Sequence, residues 1–211
     1  MVKQKSFPYL LEKGLKDCHS ILELGCGKSS PLQTLSGLHY KVGVDLYEPY
    51  LAESKKAKIH DQYIMADIRK INFKENSFDA VVLLDVLEHL TKEEGVSLIG
   101  KMEKWAKKRM ILFTPNGYVR QAEYDQNKLH LHKSGWNADE LNNLGFRIYG
   151  INGWKPLRGE RARIRFHPEL LWAIISGLTQ RFTYKHPKYA FQLFCVKEKP
   201  QGWAGIGLIK K

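Results

Sequence analysis

Cysteine is scarce in this sequence. Its three copies, Cys18, Cys26 and Cys195, are an odd and scattered set without the short spacings of metal-binding motifs. Disulfide-rich secreted domains carry an even number of cysteines, and cysteine-based zinc sites place their ligands a few residues apart. The sequence therefore predicts reduced thiols, with neither a disulfide framework nor a zinc site.

Long hydrophobic runs are missing as well. No stretch approaches the ~20 apolar residues that a membrane-spanning helix needs. A signal peptide requires an uninterrupted apolar core, and the opening segment, MVKQKSFPYLLEKGLK, is interrupted by charged residues. We therefore expect a cytoplasmic protein.

Internal repeats and low-complexity tracts are also lacking. A chain of 211 residues with 43% hydrophobic content is long enough for one well-buried core and short for two. We expect a single domain over residues 1–200. The tail, 201–211, has too little patterning to assign, and we expect it to be disordered.

Acidic residues are few in the second half of the chain. Residues 1–100 hold 13 Lys/Arg and 14 Asp/Glu, whereas residues 101–211 hold 21 and 8. This asymmetry favours an anionic partner such as a nucleic acid, a phospholipid headgroup or an acidic substrate. A lysine-rich solvated surface explains it equally well.

Strand-length apolar runs alternate with helix-like segments through the first 150 residues. The runs are SILEL, KVGVD, QYIMAD, FDAVVLLD and RMILFT, followed later by GFRIYGI and YAFQLFCVKE. Continuous apolar strands separated by helices are typical of a parallel sheet that is covered on both faces. Near the end of this region, Asn137 and Glu140 form a capping-box pattern, and Gly145 can close the helix that they start.

The glycine loop ILELGCGKSSP fits neither of the common phosphate-binding motifs. A P-loop needs a glycine where Leu22 stands, and the dinucleotide fingerprint needs its third glycine where Ser30 stands. Glu23 lies at the edge of the loop, where its charge would repel a phosphate. The loop therefore favours a cationic or zwitterionic ligand.

Three carboxylates stand where predicted strands end: Asp45, Asp67 and Asp85. The carboxyl ends of strands line the ligand crevice in open α/β sheets, so these acids are expected to meet at the loop. Asp45 is placed to accept both ribose hydroxyl protons, and Asp67 to accept from an exocyclic amine such as that of adenine. The pattern indicates a positively charged nucleoside without phosphate.

S-adenosylmethionine fits that description, and four segments in order resemble class I S-adenosylmethionine-dependent methyltransferases, particularly the type 11 group. These segments are ILELGCGKSSP, VGVDLYEPYL, MADIRKINFKENSFDAVVLLDVLEHL and ILFTPNG. The resemblance covers roughly residues 18–150. It implies a Rossmann-like α/β fold with a seven-stranded, mostly parallel sheet of order 3-2-1-4-5-7-6, in which the last strand is antiparallel.

The resemblance also implies roles for individual residues. Under it, the loop beneath the methionine moiety is formed by Glu23, Gly25, Cys26 and Gly27. Asp45 and Leu46 would meet the ribose, and Asp67 and the backbone of Ile68 would meet the adenine. Asp85 and Val86 would lie at the sulfonium end, close to the acceptor.

A general base is needed only if the acceptor carries a proton that must leave early, as a hydroxyl does. The candidates are His89, which we expect to open the helix after the fourth strand, and His130 and His132, which follow the fifth strand. We favour His132 because the Ser-Gly-Trp after it leads into the capped helix. Glu88 beside His89 raises the question of a metal, but two adjacent ligands without a third do not predict one.

Residues 151–187 are longer than a hairpin between the last two strands needs. They are rich in arginine, and an amphipathic helix is predicted in ELLWAIISGLTQRF, with its apolar residues within an arc of about 140°. We expect that face to pack on the core or on a dimer partner. The alternative is that residues 155–182 contact an anionic membrane.

The sequence thus predicts methyl transfer to a small-molecule or lipid-linked acceptor, with oxygen as the expected methylated atom. The alternatives are an RNA or protein methyltransferase, for which the basic charge is the only support, and a non-catalytic partner subunit that still binds the cofactor. Nucleic acid is the weaker choice because no recognised binding module accompanies the charge.

Overall fold

The computed structural model of the chain describes residues 6–121 and 128–199. Within these residues, seven strands form one mixed sheet of order β3-β2-β1-β4-β5-β7-β6. The strands are β1 (Ser20–Leu24), β2 (Tyr40–Asp45), β3 (Gln62–Met65), β4 (Phe78–Leu84), β5 (Ala106–Pro115), β6 (Arg147–Trp154) and β7 (Ala190–Glu198). The first five strands pair in parallel, and β7 runs antiparallel to both of its neighbours. The predicted fold and strand order are confirmed.

Strand register brings the predicted site residues to one edge of the sheet. Leu24, the last residue of β1, lies beside Val44 of β2 and Leu83 of β4. The residues that follow these strands therefore leave the sheet side by side, as expected for parallel strands with a common carboxyl edge.

Five helices accompany the sheet among the described residues: α1 (Phe7–Leu15), α2 (Glu48–Lys56), α3 (Lys92–Trp105), α4 (Ala138–Asn143) and α5 (Glu169–Lys185). Side chains of β4 alternate between two apolar clusters. Val81 and Leu83 pack in the cluster that contains α3 and α4, whereas Ala80 and Val82 pack in the cluster that contains α1. Burial on both faces explains why this strand reads as a continuous apolar run.

The capping signals of α4 act as predicted. The Asn137 side chain accepts a hydrogen bond from the Glu140 backbone N–H, and the Glu140 carboxylate accepts one from the Asn137 N–H. Gly145 follows the helix with φ +88°.

The predicted amphipathic helix is present as α5, but the expectation that its apolar face packs on the core is wrong. Leu170 and Leu178 are 75% and 74% exposed. The inner face is polar instead: Ser176 and Thr183 are buried and their backbone oxygens lie against Gly153 and Gly150 of β6. A helix that presents hydroxyl-bearing residues to glycines of a strand can pack closely, and it leaves its leucines outside.

Strand β6 continues to Trp154, so the segment between the last two strands begins at residue 155 rather than 151. This segment contains short 3-10 turns at Lys155–Leu157 and Glu160–Ala162 before α5. Across the described ranges, no helix has the length and apolar character that crossing a membrane requires. The tail expected to be disordered, 201–211, lies outside the described residues.

Candidate active site

A cavity of about 380 Å³ opens at the carboxyl edge of the sheet. The ten residues predicted to bind the cofactor all line it: Glu23, Gly25, Cys26, Gly27, Asp45, Leu46, Asp67, Ile68, Asp85 and Val86. Its size lies within the range of about 300–1,000 Å³ that is typical of small-molecule sites. Parallel strand ends therefore bring together residues that span positions 23 to 86 of the sequence.

The glycine loop leaves β1 in a conformation that suits glycine. Gly25 and Gly27 have φ +70° and +59°, and the N–H groups of Gly25 and Cys26 both donate to the Val44 carbonyl. A Cβ atom on Gly25 would lie 2.5 Å from Cγ2 of Val86. After the loop, the chain forms only a 3-10 helix, Pro31–Thr34, so this part of the structure offers no α-helix N-terminus to a phosphate.

Glu23 is held below the loop by two partners. Its carboxylate accepts a hydrogen bond from Ser30 Oγ at 2.9 Å, and its other oxygen lies 2.7 Å from Nε2 of His60. Ser30 therefore has a structural role at the position where a dinucleotide-binding loop would have glycine. His60 precedes β3, and no sequence motif marked it as part of the site.

Asp45 is fixed by backbone donors at the end of β2. Its Oδ2 accepts from the Gly27 N–H and its Oδ1 from the Tyr47 N–H, both at 2.8 Å. A carboxylate has about four acceptor positions, so two remain for a ligand. The two hydrogen bonds orient the carboxylate towards the cavity that it lines.

Asp67 is engaged by a residue that the sequence did not single out. Arg69 donates to both Asp67 oxygens at 2.7–3.2 Å and also pairs with Glu94 at 2.8 Å. Hydrogen bonds from the Arg69 side chain, outweighing the opposing effect of burial, lower the pKa of Asp67. The carboxylate is thus kept ionised at the cavity wall.

Asp85 projects into the cavity from the end of β4 with a left-handed backbone, φ +51°. Asp85 is exposed to the cavity that it lines, and the cavity walls shield it from bulk water. This enclosure raises its pKa to about 7, although a hydrogen bond from Gln192 Nε2 at 3.2 Å acts in the opposite direction. Gln192, on β7, is a further residue of this region that sequence reasoning missed.

Three histidines meet at one end of the cavity. The His89 ring lies 4.9 Å from the ring of His132 and 5.9 Å from that of His130. His89 and His130 line the cavity, whereas His132 does not line it and packs against the ring of His89. The expectation that His89 opens a helix is wrong: it ends a 3-10 turn, Leu87–His89, and α3 begins only at Lys92, capped by Thr91.

Hydrogen bonds fix the tautomers of two of these rings. Nδ1 of His89 lies 3.3 Å from the Leu131 carbonyl oxygen, and Nδ1 of His132 lies 2.5 Å from that of Val119. A carbonyl oxygen only accepts, so both Nδ1 atoms carry a proton and each neutral ring has a lone pair on Nε2. Burial lowers the pKa of His89 to about 4 and also lowers the pKa of His132, so both rings are neutral at pH 7.

His130 makes a different contact. Its Nε2 lies 2.9 Å from the hydroxyl of Tyr50, which is buried at the start of α2. Residues 122–127, between the fifth strand and His130, lie outside the described residues.

Comparisons with known proteins match part of the chain to a family model and its fold to solved structures. A family model described as a methyltransferase domain matches residues 22–113. No curated protein is significantly similar in sequence.

Similar solved structures include three methyltransferases. Magnesium protoporphyrin IX methyltransferase from Synechocystis PCC 6803 with bound SAM has 19% identity and a TM-score of 0.52, covering 90% of this chain and 74% of its own. A SAM-dependent methyltransferase from Archaeoglobus fulgidus has 17% identity and a TM-score of 0.56, and the match covers 93% of this chain and 96% of that protein. The plantazolicin methyltransferase BpumL in complex with SAH has 16% identity and a TM-score of 0.54, and the match covers 94% of this chain and 83% of that protein.

Proposed function

We propose that this chain is an S-adenosylmethionine-dependent methyltransferase that methylates a hydroxyl oxygen on a small-molecule or lipid-linked acceptor. The match of residues 22–113 to a methyltransferase-domain model supports methyl transfer, whereas the choice of oxygen and of acceptor class rests on the residues of the site. The observation that carries the proposal is the contact between the neutral rings of His132 and His89, the second of which lines the cavity together with Asp85.

The described residues fit S-adenosylmethionine. Four carboxylates line the cavity, and its lining cations are Arg69, which is paired with Asp67 and Glu94, and Lys133. This balance of charge suits a sulfonium ligand. Asp45 retains acceptor positions for ribose hydroxyls, and Leu46 and Ile68 supply apolar surface beside it.

The bound cofactor supplies an electrophilic methyl group, whose bond electrons remain with sulfur when the acceptor oxygen takes the methyl. The protein must then orient the oxygen and receive its proton. His132 is the proposed proton acceptor, because its protonated Nδ1 is held by Val119 and its Nε2 has a lone pair. Orientation of the two reactants can supply much of the acceleration, since effective molarities of well-aligned pairs reach ~10⁵ M.

A lipid-linked acceptor is supported by the outer surface of α5 and the segment before it. Exposed apolar side chains follow one face of the helix: Leu170, Leu171, Ile174, Leu178 and Phe182. Exposed arginines accompany them at positions 161, 163, 165 and 181. Apolar residues bordered by cations are typical of helices that lie on an anionic lipid surface.

The segment before this helix lies near the proposed acceptor site. Lys155 Nζ donates a hydrogen bond to the backbone carbonyl of Asn116, directly after β5. Burial lowers the pKa of His132, and the nearby charge of Glu160 acts in the opposite direction. A membrane contact through residues 155–182 would therefore place the lipid surface beside the histidines. This proximity is our reason for favouring a lipid-linked acceptor over RNA or protein.

Incubation with methyl-labelled S-adenosylmethionine and a cell extract tests the function. We expect label in the lipid or small-molecule fraction, in a bond that is stable to the conditions that cleave methyl esters. Label in RNA or protein would contradict the proposed acceptor class. Cofactor binding without label in any fraction would favour the non-catalytic alternative and contradict the proposal.

A further inference from the structure

Three potential metal ligands come together beside the cavity. Glu88, His89 and His132 each offer one ligand atom, and these atoms all lie within 4.8 Å of one another. The sequence showed only the adjacent Glu88–His89 pair, and the fold supplies the third ligand from a position 43 residues later. Metal–ligand bonds of about 2.0–2.2 Å require the atoms to approach by roughly 1 Å, which side-chain rotation can provide.

Each of the three side chains is held by a second hydrogen bond. Thr114 Oγ1 donates to Oε2 of Glu88 at 3.0 Å, which leaves Oε1 for a ligand. Nδ1 of each histidine donates to a backbone carbonyl, which leaves Nε2 for a ligand. Metal-binding histidines almost always have their other ring nitrogen fixed in this way.

The backbone joins the two ligand-bearing segments. The carbonyl of Glu88 accepts from the N–H groups of both Lys133 and Ser134, at 2.8 and 3.1 Å. The residue after His132 is therefore tied to the turn that carries Glu88 and His89. Two short connections between the segments keep the ligand set assembled, although its members come from separate loops.

The side chain of Glu88 is buried, and Asp85 stands three residues before it in the chain. Over residues 6–121 and 128–199, neither carboxylate forms an ion pair with lysine or arginine. Buried carboxylates are normally paired or coordinate a metal.

We propose that Glu88, His89 and His132 bind a divalent transition-metal ion, with open coordination positions towards the acceptor end of the cavity. Two imidazoles and one carboxylate favour an ion such as Zn²⁺ or Mn²⁺ over Ca²⁺ or Mg²⁺. The inference rests on the proposed function for its role, which is to orient the acceptor oxygen. With the ion bound, Nε2 of His132 is a ligand and no longer the proton acceptor; that role then passes to His130, which lines the cavity.

Calorimetric titration of chelator-treated protein with ZnCl₂, and separately with MnCl₂, tests the site directly. We expect one ion per chain and an increase in Tm with the ion present. Glu88→Gln preserves the side-chain volume and an acceptor for Thr114, and it should weaken ion binding at least tenfold. His39→Ala is the matched control, because His39 is exposed, packs against His19 and does not line the cavity; ion binding by this variant should be unchanged.

Equal ion affinity in wild type and Glu88→Gln would overturn the inference, as would the absence of ion binding by wild type. Binding of S-adenosylmethionine by Glu88→Gln serves as the folding control and should remain within about twofold of wild type. Methyl transfer that is undiminished in excess chelator would refute the metal site alone. Ion binding without any methyl transfer would refute the proposed function alone.

Discussion

Nε2 of His60 lies 2.7 Å from Oε2 of Glu23, and the two side chains are 0% and 3% exposed. The pair links the start of β3 to the end of β1 beneath the glycine loop. Removing one partner from a buried pair leaves the other polar group without compensation. We therefore expect His60→Ala to lower the free energy of unfolding by about 3–5 kcal/mol in urea denaturation.

The control for this prediction is again His39→Ala, which removes an exposed imidazole and should cost less than about 0.5 kcal/mol. Adding Glu23→Gln to His60→Ala should cost less than the sum of the single changes, because the uncompensated carboxylate is gone. Additive losses would show that the two residues do not interact.

Gly25→Ala should damage the cofactor site. The residue has φ +70°, which costs a non-glycine residue about 1–2 kcal/mol, and the new Cβ would meet Val86. If the loop shifts to relieve the contact, the affinity for S-adenosylmethionine should fall about fivefold or more, since about 1.4 kcal/mol corresponds to a factor of ten.

The companion variant Gly25→Ala/Val86→Ala removes the contact but not the backbone strain. The double variant should therefore recover part, but not all, of the stability that Gly25→Ala loses. Wild-type stability and cofactor affinity in the single variant would show that the loop is not constrained as described.

The hydrogen bonds of Asp79 should make the free energy of unfolding depend on pH. Its Oδ2 accepts from the N–H groups of His19 and Ser20, at 2.8 and 3.3 Å, and thereby joins the starts of β1 and β4. Burial alone would raise the pKa of Asp79, but these N–H groups and Lys108 hold it below its ordinary value. The carboxylate therefore stabilises the fold above the unfolded pKa of about 3.9, and this contribution is lost as pH falls through the lower folded pKa.

Asp79→Asn should accordingly reduce the free energy of unfolding by about 1–3 kcal/mol at pH 7. The difference from wild type should shrink as the pH falls below about 4. Asp139→Asn, at an exposed position, should cost no more than about 0.5 kcal/mol throughout. A difference that stays constant down to pH 2 would contradict this role for Asp79.

The exposed face of α5 predicts binding to anionic vesicles. We expect the protein to co-sediment with phosphatidylglycerol-containing vesicles at low salt, and less with pure phosphatidylcholine. Leu170→Glu/Leu178→Glu should reduce the bound fraction at least tenfold, because burying each leucine in the interface contributes about 1.5–3 kcal/mol. Binding of S-adenosylmethionine should be unchanged.

Val96→Glu is the matched control, since Val96 is 47% exposed on α3. This variant should bind vesicles as well as the wild-type protein does. Failure of the wild-type protein to bind anionic vesicles would remove the lipid-surface proposal. A wild-type dimer that the α5 variant converts to monomer, without vesicle binding, would instead identify this face as a contact between copies of the chain.

The strand ends explain why the cofactor cavity could be predicted from sequence. Continuous apolar runs define the strands, and residues after parallel strands must meet at one edge, so Asp45, Asp67 and Asp85 could be brought together without coordinates. His60 and Gln192 could not, because they lie before β3 and within the reversed strand, where no motif distinguishes them from ordinary polar residues.

Helix α5 shows what helical periodicity cannot predict. The spacing of its apolar residues predicts an amphipathic helix but not which face meets the protein. Packing against Gly150 and Gly153 favours small polar residues such as Ser176 and Thr183, so the usual orientation is reversed. The proximity of His132 to Glu88 could not be predicted from sequence either. It depends on backbone hydrogen bonds between two loops, which the spacing of residues along the chain does not reveal.

Calorimetric titration with S-adenosylmethionine tests the central claim, that the ends of four strands form the cofactor site. Wild type should bind one molecule per chain, Asp139→Ala should bind equally well, and Asp45→Ala should bind at least about tenfold more weakly because hydrogen bonds to a charged group are lost. Absence of binding by wild type, or full affinity in Asp45→Ala, would contradict the account.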